Sequence, residues 1–246
     1  MTTGLFVAII TMRIKSCYLT TFELMLSSTK EDYLSTIYKL EEMSAQRLIS
    51  TSALAEAMGL THGTVTVMVK KLAEEKLLVY EAYNGCALTT LGLNEAVKIV
   101  RRHRLIETFL VQVIGLDWSE VHDEAERMEH VISDRVLEGI DKLLGYPEAD
   151  PHGDPIPREE ENLKASPFIR LSECCTGNRY LIDRIMDENK DFLLFVGSKG
   201  LIPGAGIVIE QFQPEAGVIQ VRIEDGDLVP LGFDTAAKLL VSNVTC

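Results

Sequence analysis

His122, Glu126 and His130 recur at intervals of four residues, and Glu129 stands three after Glu126. On a helix, positions i, i+3 and i+4 share a face, so these imidazoles and carboxylates form one stripe. Like charges on adjacent turns repel by roughly a few tenths of a kcal/mol, a cost that a bound cation reverses. Upstream, His103 and Glu107 make a second pair at helical spacing. The Gly115-Leu116-Asp117-Trp118 turn lies between the two stretches, so an antiparallel helical hairpin brings both stripes together. Each residue also has a plainer reading. Glu126 and Glu129 fit a solvated face, and His103 fits the basic run Arg101-Arg102-His103-Arg104. Asp32 fits charge stabilisation of its own helix N-terminus. The whole array favours a metal site. Its donors are carboxylate and imidazole without thiolate, which suits Mn²⁺ or Fe²⁺ better than Zn²⁺ or Cu⁺. The spacing is not His-Glu-x-x-His, so a zinc protease finds no support.

The elements around this array read as follows. Ser28 and Glu31 have capping-box spacing, and Leu34, Ile37, Tyr38 and Leu40 follow with helical periodicity. A second helix runs near Ser52–Met58 and stops at Gly59. Thr61 caps a third helix with Val65, Met68, Val69 and Leu72 on its buried face. Strands Leu77–Glu81 and Cys86–Thr89 flank Asn84-Gly85, a strong hairpin signal. Helix, turn, helix and hairpin in this order predict a winged helix-turn-helix, whose second helix enters the DNA major groove. The outward candidates near its start are Thr61, His62, Gly63, Thr64, Thr66 and Val67, with Ser52 on the preceding helix. Lys70 and Lys71 follow where phosphates would pass. The helix offers no Arg, Asn or Gln, so DNA shape and apolar contacts carry much of the specificity. A small three-helix domain with a solvated, Thr-rich face is the plainer alternative.

Leu91 to Leu144 reads as almost wholly helical. Asp150 to Pro157 carries three prolines and a glycine, which predicts a linker. Beyond it, alternation at Ile207–Phe212 and Val218–Ile223 predicts a small β-barrel. The expected division is an N-terminal extension 1–26, disordered and with Met12 and Met25 as alternative starts. A DNA-binding domain 27–98, a helical metal-binding and dimerisation domain 99–149, a linker 150–165 and a barrel 166–246 follow.

The 246 residues are 46% hydrophobic and 25% charged, which excludes a disordered chain, and no apolar run is long enough to span a membrane. Cys17, Cys86, Cys174, Cys175 and Cys246 lack CxxC spacing and read as reduced thiols of a cytoplasmic protein. The net charge of -13 argues against coating nucleic acid by bulk charge.

Several segments resemble the diphtheria toxin repressor family of metal-dependent dimeric transcriptional regulators. They are Glu31-Asp32-Tyr33-Leu34, Thr64-Val65-Thr66-Val67-Met68-Val69, Arg102-His103-Arg104-Leu105-Ile106-Glu107, Val121-His122-Asp123-Glu124-Ala125-Glu126 with Glu129-His130, and Asp150-Pro151-His152-Gly153-Asp154-Pro155-Ile156-Pro157. The likeness is strongest from Ser27 to Pro157, and the C-terminal part resembles the family's SH3-like (FeoA-like) domain. It implies a primary, activating metal site on Asp32, Glu126, Glu129 and His130. It implies an ancillary site on His103, Glu107 and His122, with Asp187 or Glu188 as the nearest C-terminal oxygen donor. Iron-responsive members place Cys at the Glu126 position and Met at the Asp32 position, so the present pair resembles the manganese-responsive branch. Bacillary manganese regulators carry a glutamate where this chain has Ser35, which counts against a two-metal site of that kind. Gly63 and Val67 stand where iron-responsive members have Pro and Gln, so the operator sequence does not carry over.

The expectation is a metal-dependent repressor of metal-uptake genes, a homodimer on double-stranded operator DNA with Mn²⁺, or alternatively Fe²⁺, as cofactor. A metal-independent winged-helix adaptor and a helical metallohydrolase using Glu129 as base are the competing readings; nothing in the sequence specifies a nucleophile or substrate loop.

Overall fold

The computed structural model describes residues 26–43, 48–158, 168–223 and 226–244. The expected extension before residue 26, with its alternative starts, and linker residues 159–165 lie outside them.

Helix α1 (Ser28–Met43) opens on the Ser27 carbonyl, which accepts from the Lys30 and Glu31 amides. The helix thus opens one residue before the anticipated Ser28–Glu31 capping box, and the Glu31 carboxylate turns to His130 instead. Helix α2 (Thr51–Ala57) is capped by Ser50, whose Oγ accepts from the Ala53 amide at 3.1 Å. Helix α3 (His62–Glu74) is capped by Thr61. Val65, Val69 and Leu72 enter a core shared with Leu34, Ile37, Leu54 and Val100, while Met68 is only partly buried.

The wing is β1 (Leu78–Glu81) paired with β2 (Gly85–Leu88). Its loop is Ala82-Tyr83-Asn84, with Glu81 opposite Gly85 and Tyr83 at φ 69°, rather than a two-residue Asn84-Gly85 turn. The reason lies in Gly85, which is needed in the strand. At φ 130° it packs directly on the Ile49 backbone, where any Cβ would collide.

Helix α4 (Thr90–Phe109) runs on through one π-helical turn, Leu110–Ile114, and ends at Gly115 with φ 84°. Helix α5 (Val121–Glu129) packs back on it through Ile106, Leu110, Val121 and Ala125, followed by α6 (Asp134–Leu143). Residues 150–158 break regular structure as their prolines dictate, yet they form a buried strap. Asp150 Oδ1 accepts from the His152 and Asp154 amides at 2.8 and 2.9 Å, and Ile156 is buried. Gly153, at φ 86°, lies directly on the backbone of Asp183 and Arg184.

The C-terminal part contains β3 (Ile169–Arg170), β4 (Arg179–Ile185), α7 (Lys190–Ser198), β5 (Gly206–Gln213), β6 (Val218–Ile223), β7 (Leu228–Gly232), α8 (Phe233–Ala236) and β8 (Leu239–Asn243). The antiparallel order is β3-β8-β4-β5-β6-β7. The expected barrel is therefore not closed. β7 pairs with β6 alone, and the two-residue β3 with β8 alone, so the sheet edges never join. Register shifts at Ile182/Arg184 and Ile209/Gln211 interrupt the pairing, as bulges that bend a sheet do, and the inner face covers Ile182, Leu193, Ile207 and Ile219.

A buried ionic knot joins these parts. Glu42 of α1 accepts from Arg104 of α4 at 2.9 Å and from Arg184 of β4 at 3.0 Å, and Asp154 of the strap pairs with both arginines. No helix among the described residues is long and apolar enough to cross a membrane.

Candidate metal centre and nucleic-acid interface

Asp32 projects from the first turns of α1, Glu129 ends α5, and His130 caps it. One ligand atom from each lies within 4.8 Å of the others. His130 Nε2 is 3.1 Å from Asp32 Oδ1 and 3.4 Å from Glu129 Oε1, while its Nδ1 is 2.6 Å from Glu31 Oε2. Burial alone would lower the His130 pKa, but Glu31, Glu129 and Asp32 overcome it and hold it above its usual value. Burial raises the Asp32 pKa, and Glu129 and Glu126 add to the rise against the pull of His130. Glu126, the remaining expected member, is 61% exposed, and its carboxylate faces His122 at 3.5 Å rather than the Asp32 cluster. It still lines the same crevice as Asp32, His103 and Glu129.

The second cluster is His103, Glu107 and His122, again with ligand atoms within 4.8 Å. His103 Nε2 lies 3.0 Å from Glu107 Oε1 and 3.1 Å from His122 Nδ1. Burial would lower the His103 pKa, yet Glu107 and Glu129 drive it up to about 10. Burial pushes the Glu107 carboxyl up, but His103 and its hydrogen-bonded neighbours bring it well below the usual range. Of the expected C-terminal donors, Glu188 reaches this cluster, with Oε2 at 3.1 Å from His122 Nε2. Asp187 does not: it accepts from the Asn189 amide and pairs with Lys238 Nζ at 2.5 Å.

Three participants escaped the sequence reading. Glu31 looked like a capping residue. His152 and Asp150 were hidden in a proline-rich segment, although a histidine between two acidic residues there was the available signal. His152 is buried against Glu107, Nδ1 to Oε2 at 3.6 Å, and its Nε2–H donates to the Trp118 carbonyl at 3.0 Å. With Asp150 they form a third group of close imidazole and carboxylate atoms. Both expected clusters offer hard oxygen and imidazole donors in excess negative charge, which fits a divalent ion of the Mn²⁺ or Fe²⁺ kind.

Except for Ser52, which is on α2, the DNA candidates lie at the start and along α3. Ser52, Thr61, His62, Gly63, Thr64, Lys70 and Lys71 are exposed, Thr66 is half-buried, and Val67 is 71% exposed. Part of the hydroxyl capacity is used locally. Thr61 Oγ1 accepts from the Thr64 amide at 3.3 Å, and Thr66 Oγ1 donates to the His62 carbonyl at 2.7 Å.

A winged helix-turn-helix whose first helix shares a carboxylate–imidazole cluster with a separate helical hairpin defines a metal-responsive DNA-binding regulator. Residues 25–86 match the family described as iron dependent repressor, N-terminal DNA binding domain, and residues 89–158 its metal binding and dimerisation domain. Residues 169–243 match the FeoA domain. The chain is 32% identical to the iron-dependent repressor IdeR of Mycobacterium leprae over 232 residues, covering 89% of this chain and 99% of that one. It is 36% identical to the transcriptional regulator MntR of Bacillus subtilis over 126 residues, 51% of this chain and 87% of the relative. A solved manganese-dependent transcriptional repressor in complex with manganese superposes with TM-score 0.81 at 38% identity, covering 87% of this chain and 100% of that chain. The chain belongs to the diphtheria toxin repressor family and is a metal-dependent, DNA-binding transcriptional repressor. These relatives are regulators rather than enzymes.

Proposed function

We propose that this chain is a cytoplasmic, homodimeric, manganese-responsive repressor of metal-uptake genes that binds double-stranded operator DNA, with Fe²⁺ as the alternative ion. Asp32, Glu126, Glu129 and His130 would hold the activating ion, and His103, Glu107, His122 and Glu188 an ancillary one. The observation carrying this reading is the split cluster. Asp32 belongs to the DNA-binding unit, Glu129 and His130 to the helical hairpin, and their ligand atoms meet within 4.8 Å. Asp32 in place of a softer thioether, and Glu126 in place of a thiolate, favour Mn²⁺.

When bound, a divalent ion supplies positive charge that the carboxylates share. Asp32 then fixes the start of α1 to the end of α5. Because α1 packs in the same core as α3, through Leu34, Ile37, Val65 and Val69, that anchorage sets the placement of the recognition helix. The equilibrium shifts towards the DNA-competent spacing of the two recognition helices of a dimer. A coupling of about 1–3 kcal/mol makes a useful switch. Thr64 and Val67 face the bases, while Lys70 and Lys71 contact phosphates.

The test is fluorescence anisotropy of a labelled operator fragment, titrated with purified protein with and without Mn²⁺. Tight binding only with the ion is expected. Equal affinity in both conditions would overturn the reading in favour of a metal-independent adaptor.

A further inference from the structure

Lys39 stands on the same face of α1 as Asp32, two turns further on, and lines the crevice of about 80 Å³ that also contains Asp32, His103, Glu126 and Glu129. Its Nζ donates to Glu188 Oε1 at 3.1 Å, while Glu188 Oε2 faces His122 Nε2 at 3.1 Å. One carboxylate thus joins an ammonium from α1, the first helix of the DNA-binding unit, to an imidazole of the ancillary cluster. We propose that Lys39 is a tethered cation that competes for Glu188 and sets the divalent-ion concentration at which the ancillary cluster fills. This rests on the metal-site reading given above.

Two effects oppose each other. By gripping Oε1, Lys39 orders the Glu188 side chain, which helps an incoming ion. Its fixed charge, however, repels that ion across a short, partly buried distance, where Coulomb energies are larger than in water. Repulsion between full charges outweighs the ordering of a single side chain, so the net effect of Lys39 is to weaken ion binding. Coupling between binding events is reciprocal. An ion drawn to His103, Glu107 and His122 therefore loosens the Lys39–Glu188 strut, which ties α1 to the connection between β4 and α7. Lys39 thus couples one of the contacts that hold α1 to ancillary filling.

The experiment is calorimetric titration of the full chain with Mn²⁺ in an Asp32→Ala/His130→Ala background, which removes two of the four proposed activating donors and both that touch no ancillary donor, so that the ancillary cluster is the tighter site measured. Lys39→Met is expected to bind Mn²⁺ at least tenfold more tightly, and Lys39→Arg, which keeps the charge, within about twofold of the parent. Lys39→Gln gives the same sign as Lys39→Met and serves if the apolar variant misfolds by circular dichroism. Glu188→Gln weakens binding. Unchanged or weaker binding in the neutral Lys39 variants, with the parent binding normally, would overturn the competitor role alone. Failure of both the parent and the wild-type protein to bind Mn²⁺ would instead remove the metal-site reading beneath it.

Discussion

His103 of α4 meets Glu129 of α5 through Nδ1 at 2.7 Å, while its other nitrogen lies 3.0 Å from Glu107 and 3.1 Å from His122. One imidazole therefore belongs to both clusters. Glu129 sits on the Asp32 side of the ring, and Glu107 and His122 on the other. Buried to 5% exposure, the ring has little room to move.

His103→Ala follows from that shared position. It should weaken Mn²⁺ binding at the Asp32 cluster as well as its own, by roughly 10–100-fold, the usual effect of losing a residue that orients a ligand. Calorimetry on His103→Ala, compared with His122→Ala, separates the two. If His103→Ala leaves the Asp32 cluster at wild-type affinity, the clusters are independent.

Glu126→Ala tests the exposed member. Its side chain is 61% exposed and faces only His122 among the described partners, so unfolding free energy should change by no more than about 0.5 kcal/mol. Mn²⁺-induced operator binding should nevertheless disappear. Thermal melts and anisotropy on the same sample check both halves, and retained induction would remove Glu126 from the ligand set.

The array of His103, Glu107, His122, Glu129 and His130 was legible because helical periodicity brings such residues to one stripe on each of two helices, and Gly115 marks where the hairpin turns. The winged unit was legible for the same reason, through Val65, Val69 and Leu72. Closure of the C-terminal sheet was not, because alternation in β5 and β6 tells which residues face inward, not whether distant edges meet. Asp150 and His152 were obscured by prolines that predict a solvated linker, whereas Gly153 presses that segment onto β4. Lys39 and Glu188 lie 149 positions apart, and only the docking of the C-terminal sheet unites them.

The ionic knot around Glu42 gives a pH signature. Burial would raise the Glu42 carboxyl, but Arg104 and Arg184 hold it below the usual value. A carboxyl lowered in the folded state contributes stability above its unfolded value, about 4.3, and loses it as pH falls through the lower folded value. Glu42→Gln should cost about 3–5 kcal/mol at pH 7, since it strips a partner from buried arginines. The gap between wild type and variant should narrow steadily below pH 4.3 in urea unfolding curves (about the usual glutamate value). A gap independent of pH would mean that the charge of Glu42 does not hold the knot.

On the recognition helix, charge and shape should separate cleanly. Lys70 and Lys71 are exposed and follow the exposed start of α3 by two turns. Lys70→Ala should weaken binding to operator and unrelated DNA alike, and lower the slope of log affinity against log salt by about 1. Val67 is 71% exposed and has no charge to offer a phosphate. Val67→Ala should leave the salt slope unchanged and reduce discrimination at one operator position, with a loss of about 1 kcal/mol or more on the preferred base pair. Competition binding with a set of single-base operator variants, repeated at two salt concentrations, measures both quantities. A Val67→Ala loss that is uniform across all sequences would place this side chain on the backbone rather than on the bases.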